Sequence, residues 1–340
     1  MTIELWQANL IALVSTVLAI KLFRPISSIL NLVDTPCERK QHEGEIPLIG
    51  GIAIYVSILL TILTAFSIND QLFYLLVSGT LIFIVGVVDD FRQLGRWFRI
   101  LVQILACVIM IKGTGIYVES LGHFPYYGEL ELGDLGIPFT VLAVVGLVNA
   151  LNMIDGIDGL AGSMLVVAVV SILGFEALSG VYQSLDFLLV FLAALIPFLL
   201  NNLGMFSDRK VFLGDAGSMF LGFVLAWVLI ELSQNHIDAS NALNPADVLW
   251  CVAIPVFDFM AVIYRRLKSN RSPFLPDRSH LHHILQDKGL NQRQTLLVIL
   301  SFSIGTVVIG WMLSRLYPDA SLICFVILFL LYFLWVRKNL

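Results

Sequence analysis

Four polar clusters interrupt an otherwise apolar chain. Asp89 and Asp90 are adjacent carboxylates, followed by Arg92, Arg96 and Arg99. Asn149, Asn152, Asp155 and Asp158 are spaced at three-residue steps, so on a helix or near-helical turn they line one side. Gly156, Gly159 and Gly162 beside them permit close approach of the backbone to a ligand or a neighbouring helix. Lys210-Val-Phe-Leu-Gly214-Asp215-Ala-Gly217-Ser218 sets a carboxylate between glycines. Ser272-Pro-Phe-Leu-Pro-Asp277-Arg278-Ser-His280-Leu-His282-His283 gathers imidazoles and a guanidinium.

Each cluster also has a plain structural reading. Paired acids can end a helix in solvent, although they oppose the macrodipole there, which favours cations. A glycine-flanked aspartate can be an N-cap, and a basic stretch can serve membrane topology alone. Four polar groups along one stripe are harder to assign to packing. The histidine run has no cysteine beside it, and its acidic neighbours suit a hard cation better than a transition metal. Mg²⁺ needs only one or two carboxylates beside phosphate oxygens and water, helix N-termini accept anionic phosphate, and Arg and His donors grip phosphate. Together the clusters predict a site for magnesium and a pyrophosphate. Cys37, Cys107, Cys251 and Cys324 lack metal or redox spacing and predict nothing catalytic.

The elements that carry these clusters must be membrane helices. Of 340 residues 58% are hydrophobic and 13% charged, whereas a soluble domain carries roughly a quarter charged residues. A soluble globular protein is excluded on that ground. Eleven apolar runs approach the length of about 20 residues that a bilayer requires. They are Leu5–Phe23, Leu48–Ile68, Leu72–Val88, Ile100–Ile111, Ile137–Met153, Gly162–Leu178, Leu185–Leu203, Gly217–Leu232, Val248–Ile263, Thr295–Leu313 and Ala320–Val336, the fourth being the shortest. The runs are continuously apolar rather than alternating, which predicts helices and not barrel strands.

With the amino terminus outside, 18 of the 20 Lys and Arg residues fall on the inner side, leaving Lys112 and Arg315 outside. The expected orientation is therefore periplasmic N-terminus and cytoplasmic C-terminus. The longest outer loop, 113–136, holds Glu119, Glu129, Glu131 and Asp134, and its alternating Glu-Leu stretch suggests a small hairpin. The first apolar run reads as a retained helix rather than a signal peptide. No linker divides the chain, so a single integral-membrane domain over 1–340 is expected, with inner loops 24–47, 89–99, 154–162, 204–217 and 264–294 forming the active site.

Asp89-Asp90, Asn149-x-x-Asn152-x-x-Asp155-Gly-x-Asp158-Gly, Val211-Phe-Leu-Gly-Asp215-Ala-Gly-Ser and His280-Leu-His282-His283 resemble, in order, the motifs of the polyprenyl-phosphate N-acetylhexosamine-1-phosphate transferases. The run from Ser272 to His283 looks like that of the bacterial undecaprenyl-phosphate GlcNAc-1-phosphate transferases (WecA type). It is less similar to the sister phospho-MurNAc-pentapeptide transferases. The resemblance implies a bacterial inner-membrane, multi-pass enzyme with a cytoplasmic site. It would convert UDP-GlcNAc and undecaprenyl phosphate to undecaprenyl-pyrophosphoryl-GlcNAc and UMP, priming O-antigen or enterobacterial common antigen. It implies Mg²⁺, with Mn²⁺ as a substitute, bound by Asp215 and Asn152. Asp89, Asp90 and Asp215 would be catalytic, with Asp89 facing the lipid phosphate proton. Arg99, Asn149, Asn152, Asp155, Asp158, Lys210, Arg278, His280, His282 and His283 would bind substrate. Membrane lipids are expected partners, a homodimer is admitted, and nucleic acid is not expected.

The reaction class suits the residues. One pyrophosphate linkage breaks as another forms, so no ATP motif is required, and none is present. The site must overcome repulsion between two phosphate-bearing substrates, which metal and cationic clamps accomplish. The rival class, an ion-coupled transporter, places its ionisable groups near the midplane on broken helices, often in repeated halves. Here the acids sit at inner ends and no repeat is visible. A non-catalytic scaffold leaves the acid and histidine clusters without purpose.

Overall fold

The computed structural model describes residues 3–35, 44–124, 128–206, 210–234, 243–270, 272 and 279–339. The protein is an all-α polytopic membrane protein, 78% helical, whose described strands form only two short antiparallel pairs. The helices are α1 Leu5–Ile29, α2 Gly50–Ala65, α3 Asp70–Arg92, α4 Arg96–Thr114, α5 Gly136–Ile154, α6 Leu160–Ser179 and α7 Leu185–Asn202. They continue with α8 Gly214–Gln234, α9 Pro245–Cys251, α10 Ala253–Lys268, α11 Leu281–Asp287, α12 Gln292–Leu316 and α13 Pro318–Lys338. Strands β1 Val33–Asp34 and β2 Ile46–Pro47 pair, as do β3 Ser120–Phe124 and β4 Gly128–Glu131. The second pair is the hairpin suggested by the alternating Glu-Leu stretch.

Among the described residues nine helices are long and apolar enough to cross a membrane, or ten when α9 and α10 count as one bent span. Three apolar runs differ from expectation. The shortest run becomes the 19-residue α4, because Arg96 to Arg99 continue the helix below it. The second run gives only the 16-residue α2. Its first residue, Leu48, lies before the helix and donates its N–H to the Leu32 carbonyl at 2.9 Å. The ninth run is two helices bent by 83°. Pro255 explains that break, because its ring would collide with the Cys251 carbonyl if one helix ran through.

The chain falls into two compact units. The first comprises Met1–Thr114 and Leu185–Val224, and the second Gly115–Ser184 and Leu225–Leu340. In the first, α1 packs against α2 and α7. Ala8 and Ala12 bring the backbones close, and Ser57 Oγ donates to the Ala12 carbonyl at 2.6 Å. Such small-residue seams and interhelical hydrogen bonds replace the hydrophobic drive that is absent in lipid. Asn69 caps α3 by accepting the Leu72 N–H at 2.9 Å.

The approach to α8 is also fixed within this unit. Phe212 N–H donates to the Pro47 carbonyl at 2.8 Å, while Gly50 and Gly51 donate to the Phe212 and Leu213 carbonyls, both at 2.9 Å. The first-turn donors of α2, which have no helical partner, are thereby satisfied, and the residues preceding Asp215 are held against α2. In the second unit α5 packs on α10, and α6 on α12. Trp250 Nε1 donates to Ser321 Oγ at 3.0 Å, and Trp311 Nε1 to the Ser171 carbonyl at 3.2 Å. Asn291 and Gln294 form a reciprocal capping box at the start of α12. Leu22, Leu101, Leu142, Leu297 and Leu331 stand exposed on the spans, as residues facing lipid do.

Candidate active site

In the first unit two carboxylates, Asp89 and Asp215, share one guanidinium, and a third, Asp90, holds the backbone beneath Asp215. Asp89, in the last turn of α3, is buried and accepts Arg99 Nη1 at 2.7 Å on Oδ2 and the Leu94 N–H at 2.5 Å on Oδ1. Gln93 adopts a left-handed conformation with φ 48° and ends α3, turning the chain so that α4 presents Arg99 back to Asp89. Asp90 accepts the Asp215 N–H at 2.7 Å and the Ala216 N–H at 3.0 Å, one on each oxygen. These are first-turn donors of α8, so a carboxylate from α3 caps α8 in place of a local residue. Gly214 sits at φ +74°, and a Cβ there would lie 2.7 Å from Asp90 Oδ2. Gly86 likewise lets α3 reach the α8 backbone, since a Cβ at that position would stand 2.5 Å from Ala216 Cα.

The three acids therefore differ in availability. The Asp89 side chain is 3% exposed and that of Asp215 is 35% exposed. Asp215 Oδ2 lies 3.9 Å from the same Arg99 Nη1. Asp215 is thus the open carboxylate, while Asp89 fixes Arg99 and Asp90 fixes the Asp215 backbone. The N–H groups of Asp215 and Ala216 meet Asp90 rather than standing ready for a phosphate. Lys210 is half-buried just before α8.

In the second unit α5 ends at Ile154, so only Asn149 and Asn152 share a helical face. Asp155 caps the helix and Asp158 lies in the turn before α6, which opens at left-handed Gly159. Asn149 Nδ2 donates to the Val145 carbonyl at 2.7 Å, within its own helix. Asp155 is exposed, and Asn152 and Asp158 are half-buried. The His282 imidazole rests directly on Gly156, leaving no room for a Cβ there. The His280 and His282 rings are parallel to within 9°, with centroids 5.7 Å apart, and His283 is tilted against His282 at 4.2 Å. The buried His280 and His282 rings and the Asp155–Asp158 turn therefore lie together in this unit.

Residues 72–233 match glycosyl transferase family 4, a stretch that includes the Asp89, Asn149 and Asp215 motifs. The undecaprenyl-phosphate alpha-N-acetylglucosaminyl 1-phosphate transferase of Yersinia pestis is 36% identical over 325 residues, covering 93% of this chain and 87% of that protein. The Haemophilus influenzae protein of the same name is 37% identical over 324 residues, covering 94% and 89%. That of Escherichia coli K12 is 34% identical over 320 residues, covering 93% and 86%. The chain belongs to the polyprenyl-phosphate N-acetylhexosamine-1-phosphate transferase family. It is accordingly a membrane phosphotransferase.

For a transferase of this family the donor set in the first unit suits a divalent cation. Asp89 and Asp215 share Arg99, Asp90 holds the Asp215 backbone, and the Asp215 carboxylate is the one of the Arg99 pair that is part-exposed. Among the described residues no three His, Cys, Asp or Glu side chains form a preformed metal cage. Mg²⁺ does not ask for one, since it retains waters and takes one or two carboxylates beside phosphate. Asp215 belongs to the first unit and Asn152 to the second. Arg278, and with it Arg39, Lys40, His42, Arg209, Arg271 and Asp277, lies outside the described residues.

Two further side chains hold the histidine segment in place. Asp258, buried in α10, accepts from His280 Nδ1 at 2.8 Å. An ionisable residue alone inside an apolar run is a functional flag in itself, and that signal was present in Val248–Ile263. Arg265 Nη2 donates to the Ser279 carbonyl at 2.9 Å and steadies the residue before His280.

Proposed function

We propose that this transferase moves GlcNAc-1-phosphate from UDP-GlcNAc to undecaprenyl phosphate, releasing UMP, in a Mg²⁺-dependent reaction at the cytoplasmic face of a bacterial inner membrane. The product, undecaprenyl-pyrophosphoryl-GlcNAc, would prime O-antigen or enterobacterial common antigen. The observation that carries the reading is the match at 34–37% identity, over most of the chain, to proteins whose name states this acceptor and this transferred group. The disposition of the acids around Arg99 fits it.

The acceptor phosphate has a second pKa of about 6, so it is largely a dianion and a nucleophile at neutral pH. Direct attack on the donor's β-phosphorus then needs no covalent enzyme intermediate and little base catalysis. Asp89 holds Arg99 so that the remaining guanidinium donors address the acceptor phosphate. Asp90 holds the backbone that carries Asp215. Mg²⁺ bound at Asp215 would neutralise charge on the diphosphate during transfer. The residues of the second unit serve the donor. Asn149, Asn152, Asp155 and Asp158 shape the nucleotide-sugar pocket, and His280, His282 and His283 grip its diphosphate.

The test is the purified chain with undecaprenyl phosphate, Mg²⁺ and a panel of UDP-sugars, following UMP and the lipid product. UDP-GlcNAc should give both products in equal amounts. Turnover of another UDP-sugar with UDP-GlcNAc inert would overturn the donor, and solute uptake without UMP would return the transporter.

A further inference from the structure

Asp258 takes no part in the chemistry above, yet it is a buried carboxylate of the second unit with both oxygens engaged. It is 3% exposed, lies on the sixth residue of α10, and receives three donors. His280 Nδ1 meets Oδ2 at 2.8 Å, while the Leu281 N–H and the Tyr332 hydroxyl meet Oδ1 at 2.9 and 3.1 Å. Tyr332, on α13, is itself buried and packs against Phe257, with ring centroids 5.7 Å apart. A buried carboxylate is costly unless its lone pairs are fully engaged. Apolar side chains would join α10 to α11 at lower cost, so the carboxylate requires another reason. An imidazole whose Nδ1 is tied to a carboxylate has its tautomer and its ring plane set, and Nε2, on the opposite edge, is left to meet a ligand.

We propose that Asp258, buttressed by Tyr332, is a positioning residue that orients His280 so that Nε2 faces the diphosphate of the nucleotide-sugar donor. The orientation extends to His282, whose ring is stacked parallel to His280 and rests on Gly156 beside Asp155. One buried carboxylate thereby sets His280 and, through the stacked pair, the His282 ring that lies against the turn carrying Asp155 and Asp158. The proposal rests on the donor assignment made above. Asparagine at 258 would offer a single acceptor oxygen to three donors and turn an N–H group toward one of them, so the ring would lose its fixed direction.

The experiment measures KM for each substrate with the full chain in detergent, for wild type, Asp258→Asn, Tyr332→Phe, His280→Ala and the Asp258→Asn/His280→Ala double variant. Loss of a buried hydrogen bond to a charged group predicts a rise of about tenfold or more in KM for UDP-GlcNAc in Asp258→Asn, with KM for the lipid little changed. Tyr332→Phe should shift the same constant a few-fold. In the His280→Ala background Asp258→Asn should add less than about twofold, because its effect runs through the missing ring. Multiplicative losses in the double variant, or equal losses toward both substrates, would overturn the proposal. If Asp258→Asn does not fold, Tyr332→Phe combined with His280→Ala decides by the same criterion. Wild-type protein that leaves UDP-GlcNAc untouched overturns the donor assignment together with this inference. Wild-type turnover with an unaltered Asp258→Asn overturns this inference alone.

Discussion

The Asp90 carboxylate holds the backbone of Asp215, accepting its N–H at 2.7 Å and that of Ala216 at 3.0 Å. An acid that sequence spacing pairs with Asp89 is thereby the cap of a different helix. Both oxygens are engaged by donors that α8 cannot satisfy internally. Asp90→Ala should destabilise the protein by about 1 kcal/mol or more, the cost of stranding two part-buried N–H donors. UMP release should fall with it, because the Asp215 carboxylate loses its mount. Asp90→Asn keeps one acceptor oxygen and should lie between wild type and alanine in thermal unfolding. Equal unfolding temperatures for all three would show that α8 is not anchored through this side chain.

Asp215 invites the opposite expectation. Its side chain is 35% exposed, so neutralising it should leave stability within about 0.5 kcal/mol of wild type. Asp215→Asn should nevertheless abolish Mg²⁺-dependent UMP release. In wild type, EDTA should stop the reaction, with excess Mg²⁺ restoring it and Mn²⁺ substituting; in Asp215→Asn no concentration of either ion should do so. Wild-type-like turnover by the variant would remove Asp215 from the metal site. Lost activity accompanied by a lowered unfolding temperature would point to a structural role instead.

The helical membrane class was legible because hydrophobic runs of bilayer length have few alternatives. The span limits were less so: Pro255 breaks the ninth run, and Leu48 leaves helix geometry to pair with Leu32. The acids and histidines were found by type and spacing, but their division of labour was not. Nothing local marks Asp90 as a cap, since its partners lie 125 and 126 residues away in the chain. The three-residue ladder from Asn149 to Asp158 follows a helix only as far as Ile154, because Asp155 and the glycines close the helix there. Asp258 stands alone in a run that reads as a membrane span, and its partners His280 and Tyr332 lie 22 and 74 residues away, so no local spacing joins it to the histidines.

Close approach of α3 to α8 gives a third test. Gly86 is buried, and a Cβ there would stand 2.5 Å from Ala216 Cα, against backbone that cannot rotate away. Gly86→Ala should force the two helices apart at the cost of overpacking, about 1–3 kcal/mol. Asp90 would then reach its two N–H donors less well, so the variant should resemble Asp90→Ala in both unfolding and UMP release. A double variant no worse than either single change is the expected signature of shared damage. Fully additive losses would separate the helix contact from the cap.

Gly156 tests the second unit independently of Asp258. The His282 ring lies over it so closely that alanine there must displace the imidazole. The residue is on an exposed turn, so the backbone can accept alanine and the protein should remain folded. Displacement of His282 also disturbs His280, stacked on it, and His283, tilted against it. Gly156→Ala should therefore weaken UDP-GlcNAc use by roughly tenfold or more, corresponding to the 1–3 kcal/mol of an overpacked contact, while the lipid KM stays near wild type. Isothermal titration of UMP against the variant separates binding from turnover. Unchanged nucleotide affinity with unchanged KM would mean that the imidazole over Gly156 is packing and that the diphosphate is held elsewhere.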